Sequence, residues 1–142
     1  MTGIMVVGHG HFATGIASAA ELIIGKQTNF AAVDFPEGDT KTELEEHIRE
    51  GLKILEDAEK ILVFCDLLSG SPFNTVVMEA MKDQRLTVYY GVNLGMLVET
   101  LVNRETGSTW EELKSRVLEC GREQLGVFAP ETAEDEEEDS WD

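Results

Sequence analysis

Basic residues are scarce in this sequence. Its 142 residues include 28 Asp or Glu but only 11 Lys or Arg, which gives a formal net charge of −17. Proteins that bind a nucleic-acid backbone or an anionic lipid surface neutralise the phosphates with Lys and Arg. The charge balance therefore argues against both kinds of partner, and we expect no nucleic acid to bind.

Cysteines and long apolar runs are also scarce. Cys65 and Cys120 lie in apolar-periodic segments and form no CxxC pair, which predicts reduced core residues and no disulfide, zinc or redox site. No run reaches the roughly 18 apolar residues of a membrane helix. The first Lys is Lys26, so no basic segment precedes an apolar core as in a secretory signal. These features predict a cytoplasmic protein.

Acidic residues concentrate at the C-terminal end. Residues 131–142 (ETAEDEEEDSWD) hold 8 acids and no Lys or Arg. A block of like charge with little to bury is typical of disorder. We expect one folded domain over residues 1–128 and an acidic disordered tail over residues 129–142, with a solubilising role favoured over a regulatory one.

Strand-like and helix-like patterns alternate before that tail. The predicted strands span 4–7, 30–33, 61–65 and 86–90, and the predicted helices span 12–24, 40–55, 71–81, 94–101 and 109–124. This alternation predicts an α/β fold, a doubly wound and mostly parallel four-stranded sheet of order 2-1-3-4 with helices on both faces. Residues 126–128 are a further candidate strand.

Three helix starts carry capping signals. Thr40 with Glu43 and Thr109 with Glu112 match the capping-box pattern, in which each side chain bonds the other residue's backbone N–H. Ser71 is followed by proline, which is typical of an N-cap and a first helical residue.

Two loops after predicted strands carry residues suited to catalysis. Gly8-His9-Gly10-His11 follows the first strand, and residues 66–71 (DLLSGS) follow the third. Doubly wound sheets bind ligands beyond the carboxyl ends of the strands, where the strand order reverses. We therefore expect the two loops to flank one crevice.

The residue types in these loops suit phosphoryl transfer onto a histidine. His9 is a nucleophile when neutral near pH 7, and Asp66 can orient its ring and stabilise the positive charge that develops on it. The helix start at Gly70 and Ser71 favours an anion such as phosphate. His11 is expected at the rim or at the start of the helix, and His47 on a solvated acidic helix face.

Other interpretations of the same residues remain open. His9, His11 and Asp66 match a two-histidine, one-carboxylate metal site in a hydrolase-like or metal-binding module. Asp66 is also placed as the acceptor of a receiver-like domain that uses Mg²⁺. A regulatory or ligand-binding module of the same fold is a further alternative.

Six motifs resemble a known family. The chain resembles the enzyme IIA components of the mannose-fructose-sorbose family, part of the bacterial phosphoenolpyruvate-dependent sugar phosphotransferase system (PTS). The resemblance covers residues 4 to about 125, and its motifs read VVGHGHFATGI, AELIIG, VDFPEGD, FCDLLSGSPFN, GVNLGMLVETL and ETGSTWEEL. The phosphotransfer subunit of dihydroxyacetone kinases belongs to the wider fold family, but SGSPFN and GVNLGMLVETL favour the sugar system.

The resemblance implies roles for individual residues. His9 matches the phosphorylated histidine of the family, and Asp66 matches the carboxylate that bonds this histidine. Ser71 falls in the family motif GGSPFN near the phosphoryl group. Ser69 replaces the first glycine of that motif here, while Gly70 remains.

The resemblance also implies a relay. The phosphocarrier protein HPr would phosphorylate His9, and phospho-His9 would pass the group to a IIB protein or domain. The membrane components IIC and IID then import the sugar as IIB phosphorylates it. No metal or cofactor is implied. Family members are homodimers that exchange a C-terminal strand, for which residues 126–128 are the candidate, and the sugar is not specified because IIA never touches it.

Overall fold

Four parallel strands form the central sheet of the computed structural model, which describes residues 1–131. In chain order the elements are β1 (Thr2–His9), α1 (Phe12–Ile24), β2 (Phe30–Phe35), α2 (Lys41–Ile54), β3 (Lys60–Cys65), α3 (Ser71–Ala80), β4 (Leu86–Tyr90), α4 (Leu94–Asn103) and α5 (Trp110–Glu123). The predicted acidic tail lies outside the described residues from residue 132 onward.

The strand order is β2-β1-β3-β4, and every pairing is parallel. This confirms the predicted doubly wound sheet. Val7 of β1 pairs with Val33 of β2 on one side and with Cys65 of β3 on the other. The carboxyl ends of these three strands therefore meet at one edge, which places His9 beside Asp66.

Helices cover both faces of the sheet, and this explains the continuous apolar runs in the strands. In β1, Ile4 and Val6 pack with α1, α4 and α5, whereas Met5 and Val7 pack with α2 and α3. Successive strand residues point to opposite faces, so a strand buried on both sides needs apolar residues at every position.

The helix starts confirm some capping predictions and correct one. Thr40 and Glu43 form the complete capping box, while Thr109 accepts the N–H of Glu112 without the reciprocal bond. The prediction that Ser71 is an N-cap is wrong. Gly70 occupies that position with φ of +101°, so the loop ends one residue earlier and Ser71 is the first residue of α3.

Residues 126–128, the candidate strand for exchange in a dimer, form no strand within the single described chain. Val127 and Phe128 are 80% and 79% exposed. A strand needs a neighbour to satisfy its backbone groups, and this segment has none within residues 1–131. Among these residues no helix is long and apolar enough to cross a membrane.

Arg104, which follows α4, joins that helix to the start of the sheet. Its side chain is 1% exposed. The guanidinium donates to the carbonyls of Thr2 at 3.0 Å, Asn29 at 2.9 Å and Thr28 at 2.5 Å. Burial lowers the pKa of Arg104, and Glu105 partly opposes this effect.

We expect Arg104→Met to lower the free energy of unfolding by about 2–4 kcal/mol, because three backbone carbonyls, two of them part-buried, lose a charged donor. Arg104→Lys keeps the charge with fewer donors and should lose less. Unfolding in guanidinium chloride at neutral pH measures the free energy of unfolding of both variants. If the Met variant loses less than about 1 kcal/mol of unfolding free energy, water replaces the Arg104 side chain as donor at little cost.

Candidate functional site

His9 and Asp66 form a bonded pair at the carboxyl edge of the sheet. His9 is the last residue of β1 and not part of the following loop, and Asp66 directly follows β3. His9 Nδ1 lies 2.8 Å from Asp66 Oδ2. A carboxylate can only accept, so Nδ1 carries the proton and donates it, which leaves the lone pair on Nε2.

The backbone holds Asp66 in place. Its Oδ2 also accepts the backbone N–H of His9 at 2.9 Å, and its Oδ1 accepts the N–H of Leu67 at 2.9 Å. The carboxylate side chain is 11% exposed, whereas the His9 side chain is 43% exposed. The Asp66 carboxylate is thus mostly buried and oriented, while one edge of the His9 imidazole remains open.

Glycines on either side allow this packing. A Cβ on Gly8 would lie 2.7 Å from Phe12 and 3.2 Å from the Asp66 carboxyl carbon. A Cβ on Gly70 would lie 2.9 Å from both Cε1 and Nε2 of His9. The free nitrogen of His9 therefore faces Gly70, at the start of α3.

The start of α3 suits an anion. No side chain caps the helix, and Gly70 is the N-cap. The first-turn N–H groups of Ser71 and Phe73 have no partner within the helix, and the helix dipole favours negative charge there. Ser71 is free of the capping role that was predicted for it, so its hydroxyl is available beside the same helix start.

A second histidine–carboxylate pair lies across β1, and the sequence analysis missed its carboxylate. His11 Nδ1 lies 3.3 Å from Oδ2 of Asp34, near the end of β2. The Thr14 hydroxyl donates to Oδ2 at 2.6 Å, and the Thr14 N–H donates to Oδ1 at 3.0 Å. Asp34 sits in the motif VDFPEGD, but only the fold brings it to α1.

The two pairs differ at the adjoining helix start. His11 is the N-cap residue of α1 without a side-chain capping bond, and its side chain is 82% exposed. The Asp34 carboxylate already serves the first turn of α1 through Thr14. The start of α3 beside His9 has no such carboxylate. An incoming anion is therefore better accommodated at His9 than at His11.

Residues 3–118 match the family described as PTS system fructose IIA component, a mannose-type EIIA family. The chain belongs to this EIIA family. The mannose-specific EIIAB component of Escherichia coli K12 is 35% identical over 124 residues, which are 87% of the chain and 38% of that protein. The chain thus spans about two-fifths of that relative's length.

The chain matches a larger share of the length of two further relatives. The fructose-specific EIIA component of Bacillus subtilis is 31% identical over 105 residues, 74% of this chain and 72% of that protein. The crystal structure of PTS component EIIA from Streptococcus agalactiae has a TM-score of 0.80 and 30% identity, covering 90% of this chain and 98% of that one. The sequence resemblance is confirmed.

The remaining histidine–carboxylate contacts in this EIIA chain are separate. His11 bonds Asp34 and not Asp66, so the two-histidine, one-carboxylate arrangement is not formed. Among residues 1–131, no group of three or more His, Cys, Asp or Glu is placed to hold a metal ion. The His47 side chain is 43% exposed, and its Nδ1 lies 3.6 Å from Oδ2 of Asp39.

Both cysteines are buried, as predicted. Burial, with the nearby charge of Asp66, raises the pKa of Cys65 to about 12. Burial and a hydrogen bond to Glu99 raise the pKa of Cys120. Thiolates are the reactive form, so the raised pKa values leave both thiols unreactive near neutral pH.

The contacts of Asp34 make the stability of this chain depend on pH. Burial raises the pKa of Asp34, but the Thr14 bonds and His11 outweigh it and hold the pKa below its ordinary value of 3.8. A lowered carboxyl pKa stabilises the fold above 3.8 and loses that contribution as pH falls through the folded value.

We expect Asp34→Ala to cost about 1–2 kcal/mol of unfolding free energy at pH 7, as for loss of a helix cap. The difference from wild type should shrink as pH falls below 3.8. Urea unfolding across that range measures it, with His11→Asn as the comparison that leaves both Thr14 bonds. A difference independent of pH would rule out the carboxylate as its source.

Proposed function

We propose that this chain is a cytoplasmic phosphocarrier of the sugar phosphotransferase system. It accepts a phosphoryl group from phospho-HPr on His9 and passes it to a IIB component, which phosphorylates sugar imported through IIC and IID. The observation that carries the proposal is the His9–Asp66 bond of 2.8 Å, which leaves Nε2 facing the uncapped start of α3.

The proposed step is a direct transfer. The Nε2 lone pair of neutral His9 attacks phosphorus as the donor's N–P bond breaks, and the electron pair of that bond returns to the donor nitrogen. The ring keeps its Nδ1 proton, so the phosphorylated ring is an imidazolium. Asp66 stabilises that positive charge, while the free N–H groups of Ser71 and Phe73 and the Ser71 hydroxyl stabilise the phosphoryl oxygens.

Intact mass after incubation with phosphoenolpyruvate, enzyme I, HPr and Mg²⁺ tests the proposal. Wild type and His11→Ala should gain one phosphoryl group that survives alkali, because phosphohistidine is stable to base and acyl phosphate is not. His9→Ala should gain none. Phosphate on none of the three proteins would reject the relay with those partners. Alkali-labile phosphate on His9→Ala would point instead to Asp66 and a receiver-like reaction.

The nitrogen that is phosphorylated has its own readout. Asp66 holds Nδ1, so we expect phosphorus NMR of the phosphoprotein to show an Nε2 adduct. A resonance typical of an Nδ1 adduct would require the ring to leave Asp66 before transfer. It would contradict the orientation proposed here while leaving the acceptor residue unchanged.

We also propose a homodimer that exchanges the segment after α5. β4 lies at an edge of the sheet, and Leu125, Val127 and Phe128 are each more than three-quarters exposed. Unpaired edges and exposed apolar side chains favour association. Sedimentation velocity should give a dimer for wild type and a monomer for Phe128→Asp. A monomeric wild type would reject the exchange.

A further inference from the structure

The outer edge of β2 has backbone groups with no strand beside them. Within residues 1–131, β2 pairs with β1 on one side only. Asn29 and Phe35 direct their carbonyls to the N–H groups of Ile4 and Gly10, at 3.1 and 2.8 Å. Alternate residues of a parallel strand point toward the same neighbour, so the peptide groups of 30, 32 and 34 point away from the sheet.

Two clefts run beside this edge of the sheet. One has a volume of about 390 Å³ and extends to α2, and the other has a volume of about 300 Å³ and extends along α1. Both are lined by Thr14 and Ala32. Ala17 and Ser18 line the α1 side, and these small side chains leave room beside the open backbone.

The charge around the clefts has one sign. Four acidic side chains line them, and no Lys or Arg of the described chain does; the acids are Glu21, Asp34, Asp39 and Glu50. The one basic group in the lining is His47, which lies 3.6 Å from Asp39. A second copy of this chain would bring the same acids against these, and like charges disfavour that pairing.

We propose that the edge of β2, with its two flanking clefts, docks an extended and positively charged segment of a partner protein. The segment adds as a strand and exchanges backbone hydrogen bonds with residues 30, 32 and 34. Its small or apolar side chains enter the clefts, and its Lys or Arg side chains face Glu21 and Glu50. Asp34 and Asp39 add to the negative charge of the clefts but are already paired with histidines. Strand addition of this kind takes affinity from the backbone and specificity from alternate side chains.

This surface is separate from the proposed phosphoryl site. It lies on the far side of β1 from Asp66, and on the opposite edge of the sheet from β4. The docking proposal therefore stands whether or not His9 carries phosphate, and whether or not the chain forms the proposed dimer.

The test is an amide NMR titration of the full chain with a capped heptapeptide of alternating Val and Lys. We expect the peptide to shift the amide signals of Phe30, Ala32 and Asp34 and to slow their hydrogen exchange. Binding should weaken as salt rises. A matched peptide with Glu in place of Lys should bind at least about fivefold more weakly.

Three variants keep the test specific. Glu21→Lys with Glu50→Lys should weaken binding of the Lys peptide about fivefold or more, whereas Glu119→Lys with Glu123→Lys on α5 makes the same charge change away from the clefts and should lose less. Ala32→Pro removes an outward N–H at an edge position that tolerates proline. Circular dichroism verifies that each variant is folded.

Several results would overturn the proposal. They are shifts confined to β4 or absent altogether, equal binding of the Glu peptide, and equal weakening by the α5 variant. If the amides of residues 30, 32 and 34 become protected from hydrogen exchange as protein concentration rises without peptide, a second copy occupies the edge instead.

Discussion

Replacing Asp66 with Asn is expected to slow phosphoryl transfer to His9 by about 10²- to 10⁴-fold. The Asn side chain keeps the size of Asp66 but loses the negative charge that would stabilise the imidazolium in the proposed transfer. Its amide can also donate to Nδ1, which would move the ring proton to Nε2 and remove the attacking lone pair. Single-turnover phosphorylation by phospho-HPr measures the rate, and phosphorus NMR identifies the nitrogen.

A matched control separates charge from packing at this position. Asp34→Asn makes the same change at the second histidine–carboxylate pair and should leave the transfer rate within about threefold of wild type, since Asp34 makes no bond to His9. Equal slowing in the two variants would mean that the rate follows general stability. An Asp66→Asn rate near that of wild type would remove Asp66 from the proposed mechanism.

Replacing Gly70 with Ala is expected to reduce phosphorylation by at least about 10²-fold. The new methyl group would lie 2.9 Å from His9 Nε2, in the space that the phosphoryl group would enter in the proposed transfer. The backbone φ of +101° also disfavours any side chain, and such strain costs about 1–3 kcal/mol. We expect slower single-turnover transfer together with a lower melting temperature.

Gly107→Ala separates the two effects of that change. Gly107 has φ of +81°, but a Cβ there meets no atom within 4 Å. This variant should lose stability to a similar degree and keep its phosphorylation rate. A Gly70→Ala protein that is destabilised yet phosphorylated at the wild-type rate would show that the approach to Nε2 does not pass Gly70.

The fold was largely predictable because its signals are local. The helix 12–24 ends at Gly25 as predicted, and the Thr40–Glu43 box forms as written in the sequence. Apolar runs such as 61–65 are buried on both faces. Periodicity, caps and the handedness of crossovers are sufficient to predict a sheet in which every connection is a helical crossover between parallel strands.

What the sequence could not supply depends on contacts between distant segments. Asp34 lies 20 residues from Thr14 and acquires its role only when β2 pairs with β1. The close approach of Gly70 to His9 depends on how the ends of β1 and β3 lie relative to each other. Residues 126–128 have strand-like composition, but a strand also needs a neighbour, which the described chain does not provide.

The anchoring of His9 has a kinetic consequence. Asp66 Oδ2 holds both the backbone N–H and the ring of His9, so the imidazole cannot turn without breaking its bond. In the proposed relay, a donor and a recipient must then use the same open ring edge in alternation, and we expect no ternary complex. Initial rates at varied concentrations of both proteins should give parallel double-reciprocal lines, and a non-phosphorylatable donor should inhibit competitively against the recipient.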